Sequence, residues 1–544
     1  KNGSGDLILS GNSTFTGPTT VNDGRLQVNG VYTSSINVKR QAILSTNNAV
    51  LKNDIINSGT LENTGSTEVG GNYSSLENSR IVTGLNSNIH VKGKVSLNNS
   101  KLEVKPEENG ERKYITSNGI TQNIITSDDK IEGNFNSINT DEMLNAKLNQ
   151  TENSVSAKVS RKNVLNYVEK LSESDEMQKN TAQNLETAFQ KLDQDIENGT
   201  AENVTQFERK AARLQALTSS NRAAVLDSLS GQIYASAQAL TFEQSETVNK
   251  NLSNRISMLS KSMENSDKKF GFWTSGIFSK GNIKKDGFAK GNTSVKGGQI
   301  GFDMKISPDA ILGISADYSK GKVKFNRYNG QSKADMTGLS LYGRQNLGNS
   351  YIAGRAGIGF ADSRVERDII VNNNYIEHSK VSHNDNIISG YFETGYDIKN
   401  KEGDFAVTPY VALGMDKVTR GKFSEENTNF GMKADKKSYN MPYASIGIKT
   451  VKTFGKTDIT GYAGYTQGLN KKNLDFEASY NFAPDAKFKV KGINYSRNKI
   501  NAGIGVNTEI KNGASWYANY DYKHSTDKSK ADNHMITTGI RFEF

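Results

Sequence analysis

The sequence predicts a mainly β fold in three parts: a short parallel β-helix over residues 1–165, an α-helical segment over 166–266, and a 12-stranded antiparallel transmembrane β-barrel over 267–544. Three observations lead there. Short aliphatic runs recur between turn residues at the start. Helix breakers are scarce in the middle, where only Gly199 and Gly231 interrupt between Asn134 and Phe270. From Gly271 onward, apolar and polar residues alternate as strands require.

Composition narrows the function classes. The chain has 544 residues, 34% of them hydrophobic, enough to bury a large core. It has no Cys, which excludes a disulfide scaffold, a Cys-ligated metal site and thiol catalysis. The net charge of +10 comes from 68 basic and 58 acidic residues mixed throughout, the pattern of a solvated surface and not of a nucleic-acid footprint. No stretch approaches the roughly 18 apolar residues of a membrane helix, so neither a membrane-spanning helix nor a signal peptide is expected within these residues. A β-barrel would be just this polar, because half of each strand faces water. Residue 1 opens in mid-pattern, so the chain is expected to be the C-terminal part of a longer exported protein.

In the first part, runs such as Leu7-Ile8-Leu9, Leu26-Gln27-Val28, Ile55-Ile56, Ile89-His90-Val91 and Leu102-Glu103-Val104 are separated by Gly, Asn and Asp-Gly punctuation. Runs this short suit the rungs of a β-helix, each burying a few aliphatics, with Asn ladders in the turns. Residues 3–30, G-S-G-D-L-I-L-S-G-N-S-T-F-T-G-P-T-T-V-N-D-G-R-L-Q-V-N-G, resemble the passenger-associated transport repeat of bacterial autotransporters. That repeat reads approximately G-x-G-x-L-x-L-x-G-x-N-T-Y-T-G-x-T-T-V-N-x-G-x-L-x-V-N-G. Gly3, Gly5, Leu7, Leu9, Gly11, Phe15, Gly17, Thr20, Val21, Gly24, Leu26 and Val28 occupy its positions. The resemblance implies the end of a secreted, right-handed β-helical passenger, with a rung on which later rungs template.

The middle part carries three apolar stripes at helical spacing: Leu185, Phe189, Leu192 and Ile196; Val204, Phe207, Ala211, Leu214 and Leu217; and Leu226, Leu229, Ile233, Ala237 and Leu240. Gly199 and Thr218-Ser219-Ser220-Asn221 supply the breaks. Ala224 to Leu240 looks like the linker before the barrel in autotransporters with subtilisin-like protease or esterase passengers. Val248 to Met263 is a more polar helix with Lys250, Arg255 and Lys261. The family resemblance implies that such a helix sits in the barrel lumen. Some relatives are cut there at an Asn, but the usual Asn-Asn pair is missing here; Asn249, Asn251 and Asn254 stand apart.

In the last part, Leu312, Ile314, Ala316 and Tyr318 oppose Gly313, Ser315, Asp317 and Ser319, and similar sets follow around 351–360, 443–449 and 500–510. Turns at Asp286-Gly287, Ser307-Pro308-Asp309, Asn329-Gly330, Gly348-Asn349, Asn372-Asn373-Asn374, Lys401-Glu402-Gly403, Glu425-Glu426-Asn427, Gly455, Pro484-Asp485, Lys511-Asn512-Gly513 and Ser529-Lys530 divide it into 12 strands. Each strand with its connection has about 23 residues against the roughly 9–11 that cross a membrane, the surplus going to external loops. Tight Pro-Asp, Gly-Asn and Asn-Gly turns are expected on the periplasmic side. Phe272, Trp273, Trp516, Tyr520 and Tyr522 are the expected membrane-interface aromatics, and Arg344, Arg355, Lys449 and Arg541 the expected polar residues of the lumen, bonding the helix or each other. The terminal strand, with Ile536, Ile540, Phe542 and Phe544, looks like the barrel-assembly signal of outer-membrane proteins. Repeat, linker and barrel together resemble an autotransporter over essentially the whole chain.

Chemistry is sparse. The five His (His90, His378, His383, His524 and His534) form no metal spacing, and His378 and His383 read as solvated loop residues. No serine-hydrolase elbow is present, and the glycine-rich 354–359 lies within an alternating strand, so no catalytic, cofactor or metal site is expected. The resemblance implies an outer-membrane translocator of a Gram-negative bacterium that secretes and anchors its own surface passenger. Its implied partners are outer-membrane lipids, the barrel assembly machinery, periplasmic chaperones, that passenger and a host-cell target reached through it, with no nucleic acid. Two alternatives stay open: a surface adhesin whose β-helix binds a partner, and the non-catalytic end of a surface serine protease.

Overall fold

The computed structural model describes residues 1–171, 173–199, 204–264, 268–372, 375–428, 430–470 and 473–544, and for 204–207, 264 and 372 the backbone alone. The chain forms two compact units, one of 1–172, 185–223 and 371–374, the other of 173–184, 224–370 and 375–544.

The first unit is a parallel β-solenoid. Three sheets run along it, two seven-stranded and one six-stranded, built of stacked parallel strands except for the last two strands of one seven-stranded sheet. One ladder places Leu7, Leu26, Leu44, Leu61, Ile81, Leu102 and Ile138 one above the next. Another stacks Ile36, Ile55, Tyr73, Val95 and Ile131. Leu26, Leu44, Leu61, Ile81 and Leu102 are fully buried, each contributing about 1.5–3 kcal/mol of burial. The expected Asn ladders are replaced by single inward Asn residues among hydroxyls. Asn63 stacks between Thr46 and Thr83, and accepts hydrogen bonds from Thr46 Oγ1 (3.1 Å) and Thr67 Oγ1 (2.7 Å). A lone buried amide needs such donors to offset its lost hydration.

Within the transport repeat, Asp6–Leu9 pairs in parallel with Arg25–Val28, so the repeat spans two successive rungs. Val21, Leu26 and Val28 are buried, Leu9 and Thr20 half-buried, and Leu7 and Phe15 exposed on the first rung, where Phe15 meets the edge of Tyr32. Gly24 has φ +67° and lies against the Gly5 carbonyl, 2.5 Å from where a Cβ would stand, so no larger residue fits. Gly3 also has positive φ; around Gly11 and Gly17 the space is open.

The parallel pattern does not run to residue 165. Leu144–Gln150 and Ser154–Arg161 form a hairpin antiparallel to Ile120–Ser127, which ends the sheet with a reversed strand instead of another rung. Helix residues 185–197 and the helix Val204–Leu214 belong to this unit. Leu185, Phe189, Leu192, Ala211, Leu214 and Leu217 are buried, while the side chains of Val204 and Phe207 lie outside the described residues. Arg161 is buried between Glu186 (2.9 Å) and Asp193 (2.8 Å). Tyr114 donates to Asp193 (2.8 Å), and burial holds its hydroxyl pKa well above the ordinary value against the opposing pull of Arg161. Replacing Arg161 by Met would leave two buried carboxylates without a counter-charge, a loss of about 3–5 kcal/mol. Hydrogen exchange on the full chain should then show reduced protection of 144–161, with the barrel strands unchanged.

The second unit is a closed antiparallel barrel of 12 strands: Phe270–Lys284, Gly291–Ser307, Ala310–Phe325, Gln331–Leu347, Ser350–Asn372, Tyr375–Tyr396, Phe405–Arg420, Lys437–Phe454, Thr457–Gly468, Lys499–Lys511, Ala514–Ser525 and Lys530–Glu543. The last strand pairs with the first from Gly271↔Glu543 to Lys284↔Lys530, closing the sheet. The predicted turns fall between successive strands; of Asn372-Asn373-Asn374, the last two lie outside the described residues. The tight-turn expectation needs two corrections. Pro308-Asp309, Gly348-Asn349, Gly455 and Asn512-Gly513 lie at the end with short turns, whereas Asn329-Gly330 lies at the other. Pro484-Asp485 falls inside the longest connection, between Gly468 and Lys499. There Phe423–Ser424, Met432–Ala434, Phe476–Tyr480 and Phe488–Val490 form a four-stranded sheet of their own, built by two loops.

Candidate functional site

The site is the barrel lumen and the helix that fills it. Gly231, at φ +63°, breaks the chain, and one helix then runs over Gln232–Glu264, 33 residues and about 50 Å. It is twice the predicted Val248–Met263, because Ala224–Leu240 splits at Gly231 and its second half continues into the polar helix. The helix packs mainly on the first four strands. Leu252, Ile256, Leu259 and Met263, spaced along one face, form a buried cluster with Trp273, Ile311, Tyr342, Tyr351 and Ala353.

Polar groups fix its register. Arg255 pairs with Asp303, Tyr342 donates to the same carboxylate, and Trp273 Nε1 donates to the Tyr342 hydroxyl (2.6 Å). Asn251 donates to Ser275 (2.6 Å) and Gln299 (2.8 Å), and Gln244 to the Ser319 carbonyl (3.0 Å). On the opposite side, Glu246 accepts from Lys499 (2.8 Å), Lys523 (2.9 Å) and Tyr495 (2.8 Å). Lys250 lies 3.5 Å from Asp521 and over the Tyr462 ring, and Lys261 bonds Asp458 (2.6 Å). Removing a charge from water costs several kcal/mol; Glu246, Lys250, Arg255 and Lys261 each meet a counter-charge in the wall, while buried Glu243 accepts from Thr293 (3.2 Å) and Asn533 (2.5 Å).

Arg344, Arg355, Lys449 and Arg541 all face inward. Arg355 reaches Ser253 (3.3 Å), Lys449 reaches Ser257 (3.3 Å) and Arg541 reaches Ser262 (3.3 Å), all on the helix. Arg344 instead stays on the wall, bonding Asn346 and lying over Tyr351. Phe272, Trp516 and Tyr520 are exposed on the outer face, where Tyr522 packs beside His534. Trp273 is not an interface residue. It is fully buried in the lumen, because neighbours on a strand face opposite sides and Phe272 takes the outside. Ile536, Ile540, Phe542 and Phe544 point outward, on a strand paired along both sides. His383 is likewise corrected: it is buried and bonds Asp385 (2.7 Å), while His378 is exposed. Among the described residues no cluster of potential metal ligands exists.

Sequence parity could have found Asp303, Asp458 and Asp521, acidic residues at inward positions of regular strands. The loop cap carried no such signal. There Tyr234 stacks on Phe423 (4.1 Å), Tyr480 donates to the Leu229 carbonyl (3.3 Å), and buried Arg367 holds Glu425 through two bonds (2.8 and 2.6 Å). Between helix and far wall remain cavities of about 140 and 220 Å³. Both are polar-lined and roomy enough to hold several waters.

A closed antiparallel barrel with an apolar outer band and a polar, helix-filled interior is a transmembrane barrel of the outer-membrane type. Residues 272–521 match the family model of the autotransporter β-domain, and residues 1–28 that of the passenger-associated transport repeat. The chain belongs to the autotransporters: it is an outer-membrane translocator of a Gram-negative bacterium that secretes its own passenger to the surface. Its translocator domain is not itself catalytic. Among solved structures, the translocator domain of NalP from Neisseria meningitidis is similar at 16% identity, covering 56% of this chain and 98% of that one, with a TM-score of 0.45. The β-domain of Bordetella BrkA gives 15%, 51%, 100% and 0.38, and the transport unit of Escherichia coli AIDA-I gives 17%, 53%, 98% and 0.35. No curated protein matches.

The two Trp make the orientation testable. In single-Trp variants (Trp516→Phe and Trp273→Phe) reconstituted in brominated lipid, fluorescence of Trp516 should be quenched strongly and that of Trp273 hardly at all. Equal quenching would mean that Trp273 faces lipid.

Proposed function

We propose that the helix-filled barrel is the resting state after secretion, in which the helix closes the route the passenger took. The observation that carries this reading is the match of charges along the helix, Glu246, Lys250, Arg255 and Lys261, to partners in the wall. A passing chain of arbitrary sequence would not provide it. Residues 1–165 then serve as the passenger portion, with the transport repeat helping the β-helix fold outward; 166–266 serve as the linker and 267–544 as the anchor. Folding of successive rungs supplies the free energy, each burying aliphatics as the chain emerges. Any catalytic or adhesive activity resides in the passenger.

For insertion, we propose that the terminal strand, with Ile536, Ile540, Phe542 and Phe544, is recognised by the barrel assembly machinery through strand-edge pairing before closure, and that periplasmic chaperones keep the chain unfolded until then. The lipids of the outer membrane contact the exposed band and its interface aromatics Phe272, Trp516, Tyr520 and Tyr522. The test is expression of the full chain with Phe544 deleted and Phe542→Ser. Loss of most of the heat-modifiable barrel from the outer-membrane fraction is expected, while the same variant refolded in detergent still shifts on boiling. Unchanged membrane assembly would remove the signal role.

A further inference from the structure

Beyond the apolar band, the outward face of the first strands carries an unusual density of lysines. Lys280, Lys296, Lys320, Lys324 and Lys333 are exposed and Lys322 half-exposed. The register places Lys296 directly opposite Lys320, and Lys322 opposite Lys333, which itself faces Arg364. Like charges directly opposed across strands destabilise the pair. Lys320 has Asp335 at 3.9 Å and Arg364 has Asp362 at 2.9 Å. Among the described residues, no carboxylate lies within 4 Å of the ammonium of Lys280, Lys296, Lys322, Lys324 or Lys333. The corresponding outward positions of the seventh to ninth strands are Lys417, Thr419, Ser438, Asn440 and Gln467, so the charge belongs to one sector.

Height sets the environment. On the first strand Lys280 follows the outward Phe278 by two residues, and on the third Lys320 follows Tyr318. Lys322 and Lys324 rise from there at about 6–7 Å per step. The lysines therefore stand in the first layer above the hydrocarbon, where a long side chain keeps its stem on apolar surface and its ammonium among headgroups. They lie at the barrel end with the long connections, which is the external one. The outer leaflet of such a membrane is a glycolipid bearing phosphates.

We propose that the lysine rows of the first four strands bind the phosphate groups of this outer-leaflet glycolipid, fixing an annular lipid against one sector of the barrel. The proposal rests on the outer-membrane placement of the barrel and on its loop end being external. Several separated point charges fit phosphates held at different positions on one headgroup.

The test uses the full chain in non-ionic detergent, with retained lipid read by native mass spectrometry. The probes are diphosphoryl lipid A, the same lipid without phosphates, and inorganic phosphate as competitor. Wild type should retain diphosphoryl lipid A, and the variant Lys296→Gln/Lys322→Gln/Lys333→Gln should bind it about a hundredfold more weakly. The Arg-substituted triple should keep binding, and Lys417→Gln should bind like wild type. Equal binding by wild type and the Gln triple overturns the proposal. So does equal retention of the dephosphorylated lipid, or displacement by millimolar inorganic phosphate. A boiling-dependent gel shift in every variant separates failure of this surface from failure of the barrel. If the Gln triple does not fold, the wild-type comparison of the two lipids decides.

Discussion

The pairing of Phe270–Lys284 with Lys530–Glu543 joins residues at the two ends of the barrel sequence, and everything in the second unit depends on it. In hydrocarbon, an open strand edge leaves backbone groups with neither water nor partner, so the sheet has to close or not insert at all. Closure with 12 strands then sets the bore. The bore is too wide for wall side chains alone to fill, and the helix takes up the remaining space. Its charges require counter-charges on the wall, which is why inward positions carry Asp303, Asp458 and Asp521 where regular alternation would accept any small polar residue.

Alternation is the strongest sequence signal in this chain. A period of two sorts residues onto two faces, and Gly, Asn and Pro mark where strands end, so strand count and most turns were legible from 271 onward. The inward placement of Arg344, Arg355, Lys449 and Arg541 follows from the same parity. Applied strictly, it would also have separated Phe272 from Trp273, since adjacent residues on one strand cannot both meet lipid. The helix register was not legible. Gly231 interrupts the middle part of the sequence, yet the apolar stripe from Leu226 to Leu240 runs across it, and only its positive φ divides a short helix from a long one.

The small sheet over the mouth escaped because its strands, such as Met432–Ala434 and Phe488–Val490, have only three residues each. Runs that short carry no periodicity, and long-range pairing alone gives them their form. The reversed hairpin at 144–161 escaped for another reason: its alternation is the same whether its neighbour runs parallel or antiparallel. The buried Arg161 cluster belongs to this class as well, because its partners Glu186 and Asp193 follow on a helix whose docking no local pattern announces.

The lumen helix lies on the four strands that directly follow it in the chain. Its apolar contacts with Trp273, Ile311, Tyr342 and Tyr351 therefore join segments close in sequence, while the far wall supplies separated ion pairs and open cavities. Contacts of low sequence separation form early, since little loop entropy is lost in making them. Helix and leading strands therefore share one apolar seam that costs little chain entropy to close, at whatever moment the helix takes its place in the bore.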